Sequence, residues 1–111
     1  NDYNRMLTTG VISKDYICNL YYADYLEKIS TNRAESYEVL TDKFQKDYSL
    51  NEYQNYLNRN INKISSEIKE CTVSEEEEKR IYRIIDTNEN EFTLIENSIM
   101  NYQVEFSLNT N

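Results

Sequence analysis

A chain of 111 residues with a formal charge of −8, one Gly, no Pro, no Trp and no His has room for one domain, whose core buries roughly two-thirds of the unfolded surface. The charge repels nucleic acid and anionic membrane at long range, and the missing His excludes His bases, Ser–His nucleophile pairs and His-ligated metals. No apolar run approaches the roughly 18 residues of a membrane span, while 11 Tyr and 3 Phe can fill a core and keep their hydroxyls at its edge. The surplus of Asp and Glu reads first as a soluble surface, and it leaves room for a basic partner.

Residues 1–12 end in Thr8-Thr9-Gly10-Val11-Ile12 and hold the only Gly. They lack periodicity and read as a linker or lead-in, with no signal-peptide core and no starting Met. A single domain is expected over residues 13–111. From Ser13, the residues Ile17, Tyr21, Tyr25 and Ile29 recur at steps of four, with Cys18, Tyr22 and Leu26 as the adjacent row, which predicts an amphipathic helix. Ser30-Thr31-Asn32 interrupts it, since these side chains compete for backbone hydrogen bonds and favour caps. A short helix is expected over residues 33–40, presenting Ala34, Tyr37, Val39 and Leu40. Thr41 then caps a further turn that carries Phe44 inward. Ser49 and Glu52 have capping-box spacing and open a helix bearing Tyr53, Tyr56, Leu57 and Ile61.

The period then changes. Segments at about residues 66–73, 80–86, 91–96 and 101–108 are rich in Ile, Tyr, Phe, Val and Thr and are separated by polar turns, as strands should be. In the last, Tyr102, Val104, Phe106 and Leu108 alternate with Gln103, Glu105 and Ser107, the pattern of a strand with one buried face. Glu75–Glu78 and Thr87–Asn90 become hairpin turns. Helices first and an antiparallel sheet after give an α+β domain. Because the chain stops after the fourth strand, the sheet is expected either to lack a final strand or to end in an exposed edge.

Chemistry is sparser. Cys18 and Cys71 match no metal or redox spacing, and two buried thiols are favoured over a disulfide between them. The four Glu at 75–78 lack the alternating ligands and the Gly of a calcium loop, so no metal site is assigned. The aromatic residues Tyr22, Tyr25, Tyr37, Tyr56, Tyr82, Tyr102 and Phe106 are the candidate lining of a pocket for a peptide or glycan, set against the default that helical aromatic stripes face a core.

The run from Tyr22 to Leu26, then Asn32-x-Ala34-x-x-Tyr37-x-x-Leu40-Thr41-x-x-Phe44, then Tyr53-x-x-Tyr56-Leu57 and a block of strands, resembles the domains similar to nuclear transport factor two. The likeness is to their cystatin-like cone as found in extracytoplasmic lipoproteins of Gram-positive bacteria, and it covers roughly Ser13 to Leu108. It implies helices wrapped on a curved antiparallel sheet of about four strands, with a cone that is either filled or holds a ligand. Family members commonly continue with further strand sequence, where this chain ends. Enzymes of that fold resembling ketosteroid isomerase or scytalone dehydratase use an acid or His with Tyr donors. Without His, the remaining chemistry is a carboxylate base with a Tyr donor, for which Asp24 with Tyr25 and Tyr82 with Asp86 are the candidates. Asp24 lies off the Ile17 stripe and Asp86 stands before a turn, so no catalytic residue is assigned.

The resulting expectation is a non-catalytic accessory or binding domain outside the cytoplasmic membrane, held by an anchor absent from this sequence and not itself inserted in the membrane. It needs no cofactor and no nucleic acid, and its partner is a protein, a peptide or a small molecule. The alternatives are a His-free isomerase or dehydratase and a self-association or assembly module, the latter making a homo-oligomer.

Overall fold

The structure is a computed structural model that describes residues 13–109; the lead-in expected over residues 1–12 lies outside the described residues. Helix α1 (Lys14–Thr31) begins where the Ser13 hydroxyl accepts from the Tyr16 N–H at 3.1 Å, satisfying one of the donors a helix start leaves unpaired. Its buried residues are Ile17, Cys18, Tyr21, Tyr22, Tyr25 and Ile29, the row expected from the four-residue spacing. Asn32 ends α1 and starts the next helix: its N–H donates to the Lys28 carbonyl at 2.8 Å, and its side-chain oxygen accepts from the Glu35 N–H at 3.1 Å. Helix α2 (Arg33–Glu38) therefore leaves α1 without an intervening loop.

The helix expected over residues 33–40 stops at Glu38. Beyond it the backbone pairs with the sheet instead: Val104 N–H donates to the Val39 carbonyl at 2.8 Å, and Thr41 N–H donates to the Val104 carbonyl at 3.1 Å. Leu40 forms an isolated parallel bridge with Val104 and is buried. Helix α3 (Asp42–Asp47) follows with Thr41 as its cap, and Phe44 packs on the core from it as expected. Helix α4 (Leu50–Asn60) opens on the full capping box of Ser49 and Glu52. It ends one residue before Ile61, where the Asn60 side-chain amide donates back to the Tyr56 carbonyl at 2.8 Å. The chain tightens into a 3₁₀ turn (Ile61–Lys63) that turns Ile61 to the surface instead of the core.

Strands β1 (Ile68–Glu76), β2 (Lys79–Asp86), β3 (Glu91–Ser98) and β4 (Asn101–Ser107) form one antiparallel sheet in sequence order. The domain is α+β, with N-terminal helices on a four-stranded sheet. The turn expected over Glu75–Glu78 shrinks to Glu77 and Glu78, because Glu75 pairs opposite Arg80 and Glu76 opposite Lys79 across the ladder, where opposite charges favour continued pairing. Glu77 and Glu78 both take positive φ, 53° and 66°, the twist that two-residue hairpins require. The inner face carries Cys71, Tyr82, Ile84, Phe92, Leu94, Tyr102 and Val104 against α1 and α4 residues. At the outer edge of β4 the bridge to Leu40 occupies both backbone groups of Val104, so the edge expected to be open is paired at its centre. The other edge, β1, carries Lys69, Glu70, Glu75 and Glu76, charges that discourage pairing with another strand.

Cys18 and Cys71 are joined in a disulfide, with Cα atoms 6.6 Å apart; this corrects the expectation of two thiols. The cause is register. Cys71 lies opposite Ile84 on the inner face, directly under the helix row that carries Cys18, a proximity that a separation of 53 residues hides.

Candidate functional site

The space between α1 and the sheet is filled, and its polar atoms are used. Asp86 is fully buried. Its carboxylate accepts from the backbone N–H groups of Ser65, Asn88 and Asn90, each at 2.9 Å, from the Asn90 amide at 2.8 Å and from the Tyr22 hydroxyl at 3.3 Å. Burial pushes its pKa up, but the hydrogen bonds from Asn90, Ser65 and Asn88 outweigh it and hold the carboxyl below its ordinary value. Asp86 is thus the pin of the β2–β3 turn. Burial and the Asp86 charge push the Tyr22 phenol well above its usual range.

Asp24 behaves alike at the rim. It accepts from Tyr102 at 2.5 Å and from Lys28 at 2.7 Å. Burial again raises its pKa, and these two partners lower it below the ordinary value. Tyr25 is not its partner. The Tyr25 hydroxyl lies 2.9 Å from that of Tyr53, which lies 2.8 Å from the Ser36 hydroxyl, and Ser36 donates to the Arg33 carbonyl at 2.6 Å. This buried chain ties α1, α2 and α4 together. Tyr21 donates to Glu96 and accepts from the Met100 N–H at 3.0 Å, holding the β3–β4 turn. Neither expected acid–phenol pair forms: Asp24 meets Tyr102 in place of Tyr25, and Asp86 meets Tyr22 in place of Tyr82. Among the described residues no buried side-chain polar atom lacks a partner, and no group of three or more His, Cys, Asp or Glu could hold a metal ion.

Open space lies elsewhere. A cleft of about 480 Å³ opens between α3, α4 and the end of β4, within the size range of small-ligand sites. Leu40 and Tyr53 are its buried base, and Phe44, Tyr48, Tyr56 and Phe106 supply aromatic walls. The Phe106 ring is central: its centroid lies 5.7 Å from Phe44 and 6.2 Å from Tyr56, separations typical of aromatic pairs. Helix α4 contributes Glu52, Asn55, Tyr56 and Arg59, which share one helical face because three- and four-residue steps stack. Glu52 Oε1 accepts from the Ser49 N–H at 3.0 Å in the capping box; its other oxygen is free. Among the described residues the side chains of Asn55 and Arg59 form no hydrogen bond or ion pair, whereas Arg33 and Arg83 do.

Of the seven aromatic residues singled out from sequence, only Tyr56 and Phe106 line this cleft. Tyr22, Tyr25, Tyr82 and Tyr102 are core residues. Tyr37 packs on Tyr53 with ring centroids 5.5 Å apart, and its hydroxyl donates to the carbonyls of Gln45 and Tyr48, which fastens the end of α3. Phe44, Tyr48, Glu52, Asn55 and Arg59 were missed. The row Glu52, Asn55, Tyr56, Arg59 was visible as helical spacing, but Glu52, Asn55 and Arg59 are exposed, and only the rings of Phe44 and Phe106 beside them set this face apart from ordinary solvated surface. Among the described residues no helix is long and apolar enough to cross a membrane. No family model, no curated protein and no solved structure matches this chain.

Proposed function

We propose that this chain is a non-catalytic binding domain that works outside the cytoplasmic membrane and takes its ligand in the cleft between α3, α4 and β4. The observation that carries the reading is the contrast in that cleft between a dense aromatic wall and polar groups left without partners, Asn55 and Arg59. Both side chains are exposed to water and hold nothing in the fold, and a cleft that joins rings to polar groups of this kind is built like a ligand site. The Cys18–Cys71 disulfide supports a location in an oxidising compartment. The likeness to the nuclear transport factor two cone and to Gram-positive lipoproteins belongs to the same proposal, and the order of helices before a four-stranded sheet is compatible with it.

Asp24 and Asp86 support binding over proton abstraction, because a general base works best with its pKa near the operating pH and both carboxyls are held the other way. The charged β1 edge and the bridged β4 edge favour a ligand-binding role over strand-mediated assembly. Two measurements test the proposal. Titrating ¹⁵N-labelled protein with a mixture of small aromatic and aliphatic compounds should shift the amides of Phe44, Tyr56 and Phe106; no shift at millimolar concentrations rejects the binding role. Fractionating cells that express the full-length native protein should place it outside the cytosol, and recovery from the cytosol with both thiols free rejects the location.

A further inference from the structure

The cleft is polar in a directional way. Glu52 sits in the first turn of α4 and Arg59 in its last, both on the cleft side. Seven residues of helix separate their Cα positions by about 10 Å along the axis, which equals about three residues of extended chain. Between the two charges stand Tyr56 and Asn55, and Phe44 and Phe106 face them from α3 and β4. Glu52 keeps one carboxylate oxygen free beyond its capping bond, and the Arg59 guanidinium keeps all its donors.

We propose that the cleft binds a short extended peptide of about three residues with both termini free. This rests on the reading of the cleft as a binding site and names its ligand. The peptide ammonium meets the Glu52 carboxylate and the peptide carboxylate meets the Arg59 guanidinium, which can take it bidentately. A central aromatic or aliphatic side chain lies against Phe44, Tyr56 and Phe106. Asn55 carries a donor and an acceptor on one amide, the complement of a peptide group. The hydroxyls of a neutral glycan can hydrogen-bond to Glu52 and Arg59 but carry no charge to pair with either, and a simple anion attracted by Arg59 is repelled by Glu52. A zwitterion of the right length satisfies both ends at once. The net charge of −8 makes the point sharper: an arginine left unpaired on so acidic a chain is available to an incoming carboxylate.

The test uses Ala-Phe-Ala with free termini, its N-acetyl, C-amide and doubly blocked forms, and a neutral trisaccharide, each titrated into the ¹⁵N-labelled protein. Free Ala-Phe-Ala should shift Asn55, Tyr56 and Phe106. Blocking either end should weaken binding about tenfold, the loss of one charge-assisted hydrogen-bonded contact. Arg59→Gln should remove the preference for the free carboxylate and leave the preference for the free ammonium. Glu52→Gln should do the reverse, and it preserves the helix start because Gln also serves in a capping box. Unchanged thermal midpoints of both variants show that they fold. If the doubly blocked peptide or the trisaccharide binds at the cleft as tightly as the free peptide, the peptide assignment is overturned and the binding role stands. If no probe shifts the cleft, both fall.

Discussion

Two regions of this molecule use the same residue types to opposite ends. Between α1 and the sheet, Tyr22, Tyr25 and Tyr102 bury their rings and hand their hydroxyls to Asp86, Tyr53 and Asp24, so each phenol closes a polar account inside the fold. Between α3, α4 and the end of β4, Tyr56 and Phe106 stand beside Asn55 and Arg59, whose side-chain polar atoms bond to nothing among the described residues. A buried polar group without a partner costs about 1–3 kcal/mol, which explains why the interior is saturated. At a cleft open to water that penalty vanishes, and unpaired groups can be kept for a ligand. Aromatic richness by itself therefore does not locate a site; the state of the neighbouring polar atoms does.

The contrast can be tested from its strongest element downward. Replacing both Cys18 and Cys71 by Ser should lower unfolding stability by about 4 kcal/mol, the chain-entropy value for a loop of this length, read from urea midpoints. The cleft should survive in the residual folded fraction, since neither cysteine lines it. Asp86→Ala should cost about 3 kcal/mol, because several buried donors lose their acceptor together. An effect within about 0.5 kcal/mol, the size of an ordinary surface substitution, would refute its role as the turn's pin.

Acid should act on the interior first. Asp24 and Asp86 have folded pKa values below the unfolded one, so their contribution is fully present above the unfolded pKa of about 3.9 and is lost as pH falls below it. Urea midpoints should hold level down to about pH 5 and then drop, and Asp24→Asn should flatten the drop. At the β1–β2 turn, replacing Glu77 and Glu78 by Asn and Gly should stabilise by about 1 kcal/mol, since these residues accept positive φ at little cost. The smallest effect belongs to the cleft: Arg59→Gln should change stability by less than about 0.5 kcal/mol, as expected of a side chain that holds nothing in the fold.

Much of the fold was legible because it rests on local rules. The row Ile17, Tyr21, Tyr25, Ile29 is a helical period that needs a covering surface, and it received one. Ser49 and Glu52 satisfy each other within one turn, so their spacing sufficed. The alternation through Tyr102 and Val104 likewise marks a strand whose inner face is buried. The errors fall where distant segments compete. Val39 and Thr41 could have continued a helix, but Val104 offered a better-placed donor and acceptor. Glu75 and Glu76 look like turn residues until Arg80 and Lys79 stand opposite them.

The candidate site was less legible. Tyr56 and Phe106 were identified as aromatic, yet nothing in their own segments distinguishes them from Tyr25 or Tyr82, which are core. Whether an aromatic side chain becomes wall or filling depends on what arrives on its other side: Phe44 of α3 stands against Phe106, α1 covers Tyr82 through Tyr21, and the sheet covers Tyr25 through Phe92. The sequence by itself determined the classes of element, their order, the α+β type and the absence of His chemistry, because period, capping and composition act within a few residues. Tertiary structure alone decided the Cys18–Cys71 bond, the Leu40 bridge, the role of the Asp86 carboxylate as a hydrogen-bond hub and the cleft with its free Arg59. Each of these is a meeting of groups far apart along the chain, and such meetings follow from register and packing, which no local pattern encodes.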